Sequence, residues 1–171
     1  MIRIAAVGDL HAGSDTADAL REQLGEVSQK ADVLLIAGDL TKSGRPQEAR
    51  VLARQLGQVS VPVVAVLGNH DHHADRPEEI ASLLRDVGVA VLEGQSIEVD
   101  TTGGSVGVAG VKGFGGGFPG ASGAEFGEPE MKAFIRHTKE RSEALGSALA
   151  SLRTDVRVAL MHYAPIRETL Q

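Results

Sequence analysis

The sequence contains no cysteine and no tryptophan. No disulfide can brace the fold, and no thiolate can hold a metal, so any metal site must be built from nitrogen and oxygen ligands. The lack of cysteine does not by itself fix the compartment. Aromatic residues are scarce, at 3%, so the core of this 171-residue chain has to be packed from Leu, Val, Ile and Ala. Positive charge is not in excess. The formal net charge of −6 argues against a broad electrostatic surface for nucleic acid or for an anionic membrane. It leaves room for a phosphate ligand, because bound divalent cations invert the local sign. No apolar run reaches the length of a membrane span. The opening stretch MIRIAAVGDLHAG meets Asp9 before any long apolar segment and does not read as a signal peptide. A cytoplasmic protein is expected.

Glycine, at 21 residues, is abundant. Many backbone positions can therefore take unusual dihedral angles or lie close to a ligand. Three times a short apolar run passes into a polar loop and then into a helical pattern. The runs are Ile2 to Val7, 33 to 37, and VPVVAV before Leu67. The spacing predicts helices over Thr16 to Gln29, over Gln47 to Leu56, and around Ile80, Leu83, Leu84 and Val87. Such β-loop-α units with continuous apolar strands suggest parallel strands buried on both faces. After Gly88 the pattern changes to three short strand candidates, VAVLE, SIEVD and SVGVAGV, with TTGG as a hairpin signal between the last two. A glycine-rich loop spans 112 to 129 and is expected to flank the functional site. A long helix follows from Pro129 to Leu152, with Met131, Phe134, Ile135, Leu145 and Leu149 facing inward, and VRVALM makes a last strand before His162. One α/β domain over residues 1–171 is expected.

The chemistry lies at the ends of these strands. GDLH (8–11), GD (38–39) and GNHD (68–71) each close an apolar strand, and His162 closes a fourth. In α/β sheets ligands bind beyond the carboxyl ends of the strands, so all four clusters are expected on one edge of one sheet. The ligand-capable set is Asp9, His11, Asp39, Asn69 and His162, with His70 beside them. Carboxylate, imidazole and amide oxygen suit Mn, Fe, Zn or Mg. A carboxylate can bridge two ions, and paired ions clamp both oxygens of a phosphoryl displacement. The glycines ahead of Asp9, Asp39 and Asn69 are expected to let the chain turn sharply off each strand.

D-x-H, G-D, G-N-H-D and an isolated strand-end histidine, in this order over nearly the whole chain, resemble the calcineurin-like metallophosphoesterase family. The resemblance implies a two-sheet sandwich flanked by helices, an α-β-β-α arrangement. It implies two divalent metal ions, with manganese favoured. Asp9, His11 and Asp39 would hold one, and Asp39, as the bridge, with Asn69 and His162 would hold the other. His70 would face the substrate phosphate and protonate the leaving oxygen or stabilise its charge, and Asp71 would orient it. A hydroxide between the metals would attack phosphorus in line. The family's last motif, G-H-x-H, does not occur, and the sequence has no G-H pair. Each of its histidines would supply one metal. The resemblance therefore implies a chain truncated at its C-terminal end, with part of the second sheet missing.

Other candidates carry weaker signals. His72 and His73 lie outside the family pattern and read as solvated or substrate-facing, and His137 in RHTKER reads as solvated. GGGFPG (115–120) matches a dinucleotide fingerprint in letters but opens no helix. Phe114 and Phe118 could line a pocket or anchor the loop. RPQEAR and KERSE read as solvated helix faces, and Lys112, Lys42 and Arg45 are cations available to a phosphate. The leading function is a metal-dependent phosphoesterase acting on a phosphomonoester or phosphodiester, with a small substrate such as a nucleotide. The alternative is a non-catalytic or inactive truncated member that binds metal or protein. No membrane partner is expected, and a homo-oligomer stays open.

Overall fold

Alternation within the apolar runs decides the architecture. The computed structural model describes residues 1–118 and 120–169. Strands β1 (Ile4–Val7), β2 (Val33–Ala37), β3 (Val63–Val66) and β4 (Ala90–Val91) form a parallel sheet in the order β1-β2-β3-β4. VAVLE thus extends the first sheet and does not begin the second. A second sheet holds β5 (Gln95–Thr101), β6 (Gly104–Val111) and β9 (Val156–Met161), in the order β5-β6-β9. The β5–β6 pair is the antiparallel hairpin signalled by TTGG, and β6–β9 is parallel.

Successive strand residues point to opposite faces. Leu34, Ile36, Val63 and Ala65 point outward onto helices α1 (Ala17–Gly25), α3 (Pro46–Leu56) and α4 (Pro77–Arg85), meeting Leu20, Leu24, Leu52, Leu56, Ile80 and Leu84. Their neighbours Val33, Leu35, Val64 and Val66 point inward and pack against Val106, Val108 and Leu160 of the second sheet. Ala109 and Val111 lie against Leu145, Ala148 and Leu152, in and just beyond helix α5 (Pro129–Ser151). The layers are therefore α-β-β-α, as expected. Each fully buried aliphatic side chain contributes about 1.5–3 kcal/mol of transfer free energy, and no aromatic residue belongs to these three clusters. Pro46, Pro77 and Pro129 each open a helix, where the missing N–H has no intrahelical partner to lose. Among the described residues no helix is long and apolar enough to cross a membrane.

Four expectations change. The helix over 16–29 breaks after Gly25, a poor helix former, and a separate turn α2 (Val27–Lys30) follows. β1 is an edge strand and only half-buried, so its apolar run is not buried on both faces. Met131 and Phe134 are 47% and 42% exposed, because the first half of α5 runs past the sheet and meets only the glycine-rich segment. That segment is not all loop. It contains a two-residue hairpin, β7 (Gly117–Phe118) with β8 (Ala121–Ser122), and is tied to α5 by Glu125 with Arg136 and Lys139 and by Thr138 with Gly115.

The loops leaving the parallel strands are joined before any site is formed. β1 and β2 continue side by side past their ends, through Asp9 N to Gly38 O (3.1 Å), His11 N to Asp39 O (2.9 Å) and Ala12 N to Leu40 O (2.9 Å). The loop after β3 is fastened to them by Asp71, which is fully buried. Its carboxylate accepts from Leu40 N (3.1 Å), Thr41 N (2.8 Å), Thr41 Oγ1 (2.6 Å) and Gly68 N (2.8 Å). Removing the carboxylate leaves three buried backbone donors unpaired. Asp71→Ala is expected to lower unfolding stability by about 2–4 kcal/mol, measured by urea denaturation. An Asp71→Ala variant as stable as the parent would show that the loops do not depend on this junction.

Candidate metal centre

The parallel register brings the ends of β1, β2 and β3 level, while His162, expected on that same sheet, comes from β9 of the second sheet, which packs against the first. Asp39 sits at the middle, 4% exposed. Its Oδ2 lies 3.8 Å from His11 Nε2 and 3.8 Å from His70 Nε2, and its Oδ1 lies 3.4 Å from His162 Nε2. His11 Nε2 is also 4.0 Å from Asp9 Oδ1, and Asn69 Oδ1 is 2.9 Å from His162 Nε2. Asp9, His11, Asp39, Asn69, His70 and His162 thus share one edge. Two clusters have the spacing to hold an ion, His11 with Asp39 and His70, and Asp9 with Asp39 and His162. Asp39 belongs to both, which matches a bridging position. The partition differs from the one implied by the resemblance, since His70 stands where Asp9 was expected.

Backbone carbonyls set the imidazoles. His162 Nδ1 donates to Ala37 O at 2.9 Å, and His70 Nδ1 donates to Lys42 O at 2.7 Å. A carbonyl only accepts, so each Nδ1 carries the proton, and in the neutral ring Nε2 presents a lone pair. In that neutral tautomer His162 Nε2 faces Asn69 Oδ1 and Asp39 Oδ1 as a third acceptor. Three acceptor atoms that converge in this way fit a cation. Nitrogen and oxygen donors, with the far ring nitrogen held by a carbonyl, fit a divalent transition ion or Mg.

Asp71 does not orient the His70 ring. Its oxygens are taken up by the loop junction, and Lys42 O does the orienting. No pattern of residues signals a backbone acceptor of this kind. His70 N also donates to Asp39 Oδ1 at 2.9 Å, which fixes the carboxylate from behind. His73 stacks on His70 at 4.5 Å between ring centroids, and His11 meets His70 edge-on at 4.6 Å.

The glycines serve close approach more than turning. Of Gly8, Gly38 and Gly68, only Gly38 has a left-handed φ, +85°, and a Cβ there would lie 2.6 Å from the His162 ring. A Cβ on Gly68 would overlap the Asp39 backbone nitrogen and Oδ1, while Gly8 has ordinary space and an ordinary φ. The left-handed positions fall instead on Asp9 (φ 55°), His11 (φ 43°) and Asp39 (φ 48°). Non-glycine residues rarely adopt this conformation, and it clusters at functional sites.

Beside the edge, Lys42 pairs with Asp15 in a cleft also lined by Gly13, Arg45 and Glu48. On the other flank Lys112 is buried at the end of β6. Burial pushes its ammonium below the ordinary lysine value, with Glu93 opposing. His72 is an exposed residue, yet partial burial of its ring, and then the charge of Lys112, push its imidazole down. Phe114 is a loop anchor, packed on Phe134 (5.0 Å) and edge-on to His137 (4.7 Å), so His137 is less solvated than its sequence context suggests.

Known proteins resemble this chain in sequence or in fold. A glycerophosphodiester phosphodiesterase, GpdQ of Enterobacter lignolyticus, is 32% identical over 80 residues, covering 47% of this chain and 28% of that protein. A probable cyclic nucleotide phosphodiesterase of Synechococcus is 30% identical over 92 residues, covering 48% of this chain and 34% of that one. The matched stretch is thus about a third or less of either relative's length. The crystal structure of TT1561 of Thermus thermophilus superposes with a TM-score of 0.60 at 21% identity, covering 100% of this chain and 72% of that one. A hypothetical protein of the same organism gives 0.56 at 18% identity, covering 92% and 56%. These two likenesses concern the fold. The model of the calcineurin-like phosphoesterase family matches residues 2–168, which include every strand-end motif of the site, and the chain belongs to that family.

Proposed function

We propose that the protein is a metal-dependent phosphoesterase that hydrolyses a small phosphodiester at the Asp39 edge. The observation that carries this reading is the convergence of His11, His70 and His162 Nε2 on the two oxygens of a single buried carboxylate. The names of the two relatives favour a diester over a monoester and a small substrate over a polymer. Asp9, His11 and Asp39 would hold one divalent ion, and Asp39, Asn69 and His162 a second, with manganese favoured. Bound ions would supply a water activated at neutral pH and neutralise charge on the phosphoryl group.

The protein's own groups do the rest. Ala37 O keeps His162 Nε2 turned to the metal side. Lys42 O engages His70 Nδ1 and leaves Nε2 as the working atom, so in the protonated ring the Nε2 proton can pass to a leaving oxygen or balance its charge. His70 can serve in this way because its ring is only about one-third exposed, whereas Asp39 beneath it is sealed. Asp71 acts through the loop junction and not on the proton.

Elemental analysis of the purified chain, beside a manganese-supplemented assay with bis(p-nitrophenyl) phosphate, tests the reading. About two equivalents of metal with turnover are expected. Asp39→Ala is expected to lose metal and to lower turnover by more than about 100-fold. Metal without turnover on any phosphoester would favour a non-catalytic binding module instead. His70→Ala separates the two roles open to that residue. Metal content is expected to stay near the parent level while kcat falls about 10²–10⁴-fold. Loss of one equivalent of metal in that variant would make His70 a ligand.

A further inference from the structure

Lys112 lies one residue past β6 and is 9% exposed. Lysine is almost never buried to this extent unless its charge is paired. Among the described residues its ammonium has no hydrogen-bond acceptor and no carboxylate within ion-pair distance. Glu93, the adjacent acid, is engaged elsewhere. Oε2 accepts the Lys112 backbone N–H at 3.1 Å, and Oε1 faces Arg141 Nη1 at 3.4 Å. The aromatic faces of Phe114 and Tyr163 lie 5.3 Å and 5.8 Å from Lys112 Nζ. Such contacts fix the position of a cation but satisfy none of its three N–H groups. Arg141 Nε is the only side-chain nitrogen or oxygen among the described residues that is both sealed from solvent and unpartnered. The Lys112 ammonium, unpartnered as well, therefore opens to solvent. It is a held, dehydrated, accessible cation without a counter-ion.

Its place relative to the metal edge is fixed by the backbone. Lys112 O accepts from His162 N at 3.2 Å and from Tyr163 N at 3.0 Å. The Tyr163 ring neighbours both sites, 5.8 Å from Lys112 Nζ and 5.5 Å from the His162 ring. Lys112 Nζ thus lies within about 11 Å of the His162 ring and makes no ion pair with Asp39. That separation suits two anionic groups on one small molecule better than one phosphoryl group shared by both. The remaining cations near the edge are less available, since Lys42 is paired with Asp15. In a chain of net charge −6, a doubly charged substrate needs a local cation of this kind.

We propose that Lys112 is a specificity-determining residue, which binds a second anionic group of the substrate, a carboxylate or a further phosphate, while the ester phosphate lies at the Asp39 edge. The proposal rests on the phosphoesterase reading above. A charge-assisted hydrogen bond in a partly dehydrated recess should favour substrates that carry this second anion over those that end in a neutral group.

Isothermal titration calorimetry on the manganese-loaded chain tests it with three ligands. Propylphosphonate carries one anionic head, 3-phosphonopropionate adds a carboxylate, and propane-1,3-bisphosphonate adds a second phosphonate. Both two-headed ligands, or one of them, are expected to bind about tenfold more tightly than propylphosphonate. A preference confined to one of them would support the proposal and name the group. In Lys112→Met the ratio is expected to fall towards one, and Lys112→Arg is expected to keep it. A merely structural role would shift all three affinities together and leave the ratio intact. Equal affinities in the parent chain, or a preference that survives Lys112→Met, would overturn the proposal while the phosphoesterase reading stands. If none of the three binds and bis(p-nitrophenyl) phosphate is not turned over, the phosphoesterase reading falls and this proposal falls with it.

Discussion

The Asp71 carboxylate accepts four hydrogen bonds within a fully buried space. Three of the donors belong to the loop after β2 and one to the loop after β3. Neither loop can move without leaving a buried N–H unpaired, at a cost comparable to a sizeable part of the stability of a small domain. With the β2 and β3 loops joined, Gly68 lies so close to Asp39 that no side chain fits between them. That contact places the Asp39 carboxylate under the histidines. Packing then completes the site, because His162 rests over Gly38, where any Cβ would meet its ring.

The imidazoles are aimed by main-chain groups rather than by acids. Ala37 O and Lys42 O belong to β2 and its loop, the same segment that carries Asp39. One stretch of chain, 37 to 42, therefore supplies the central carboxylate, orients two of the three histidines around it and provides two of the three amides that Asp71 gathers. Carbonyl acceptors add no net charge to a centre that already holds two aspartates. An acidic orienting group would raise ligand basicity further but would also deepen the charge that bound cations must neutralise.

Most of this site is legible in the sequence. Asp9, His11, Asp39 and Asn69 follow strands of one parallel sheet, whose carboxyl ends share an edge whatever the loops do, whereas His162 reaches that edge from the second sheet. The layer order is legible for the same reason, since each β-loop-α unit fixes its crossover. What stays hidden depends on contacts between distant backbone groups. Asp71 follows His70 directly, which suggests a pair, yet consecutive side chains in a tight turn diverge, and the carboxylate points into the junction. Lys42 O has no side-chain signature at all. The exposure of Met131 and Phe134 is hidden for another reason, because the helical periodicity of α5 continues beyond the sheet that gives it meaning. Lys112 is visible as a cation, but its missing counter-ion is a property of the packed structure alone.

The strain at the edge has a consequence for how the site holds together. Asp9, His11 and Asp39 adopt left-handed backbone at roughly 1–2 kcal/mol each, and no glycine relieves it. The compensation lies in the backbone zipper between the first two loops and in the Asp71 junction, neither of which uses a ligand side chain of the site. Ligand orientation is therefore held by groups whose hydrogen bonds do not depend on a metal. This separates the site from small metallodomains in which binding and folding are one event. On the proposed reading metal affinity and fold stability would therefore be lost independently: the first would depend on Asp39, through the acceptors that converge on it, and the second on Asp71, through the amides it gathers.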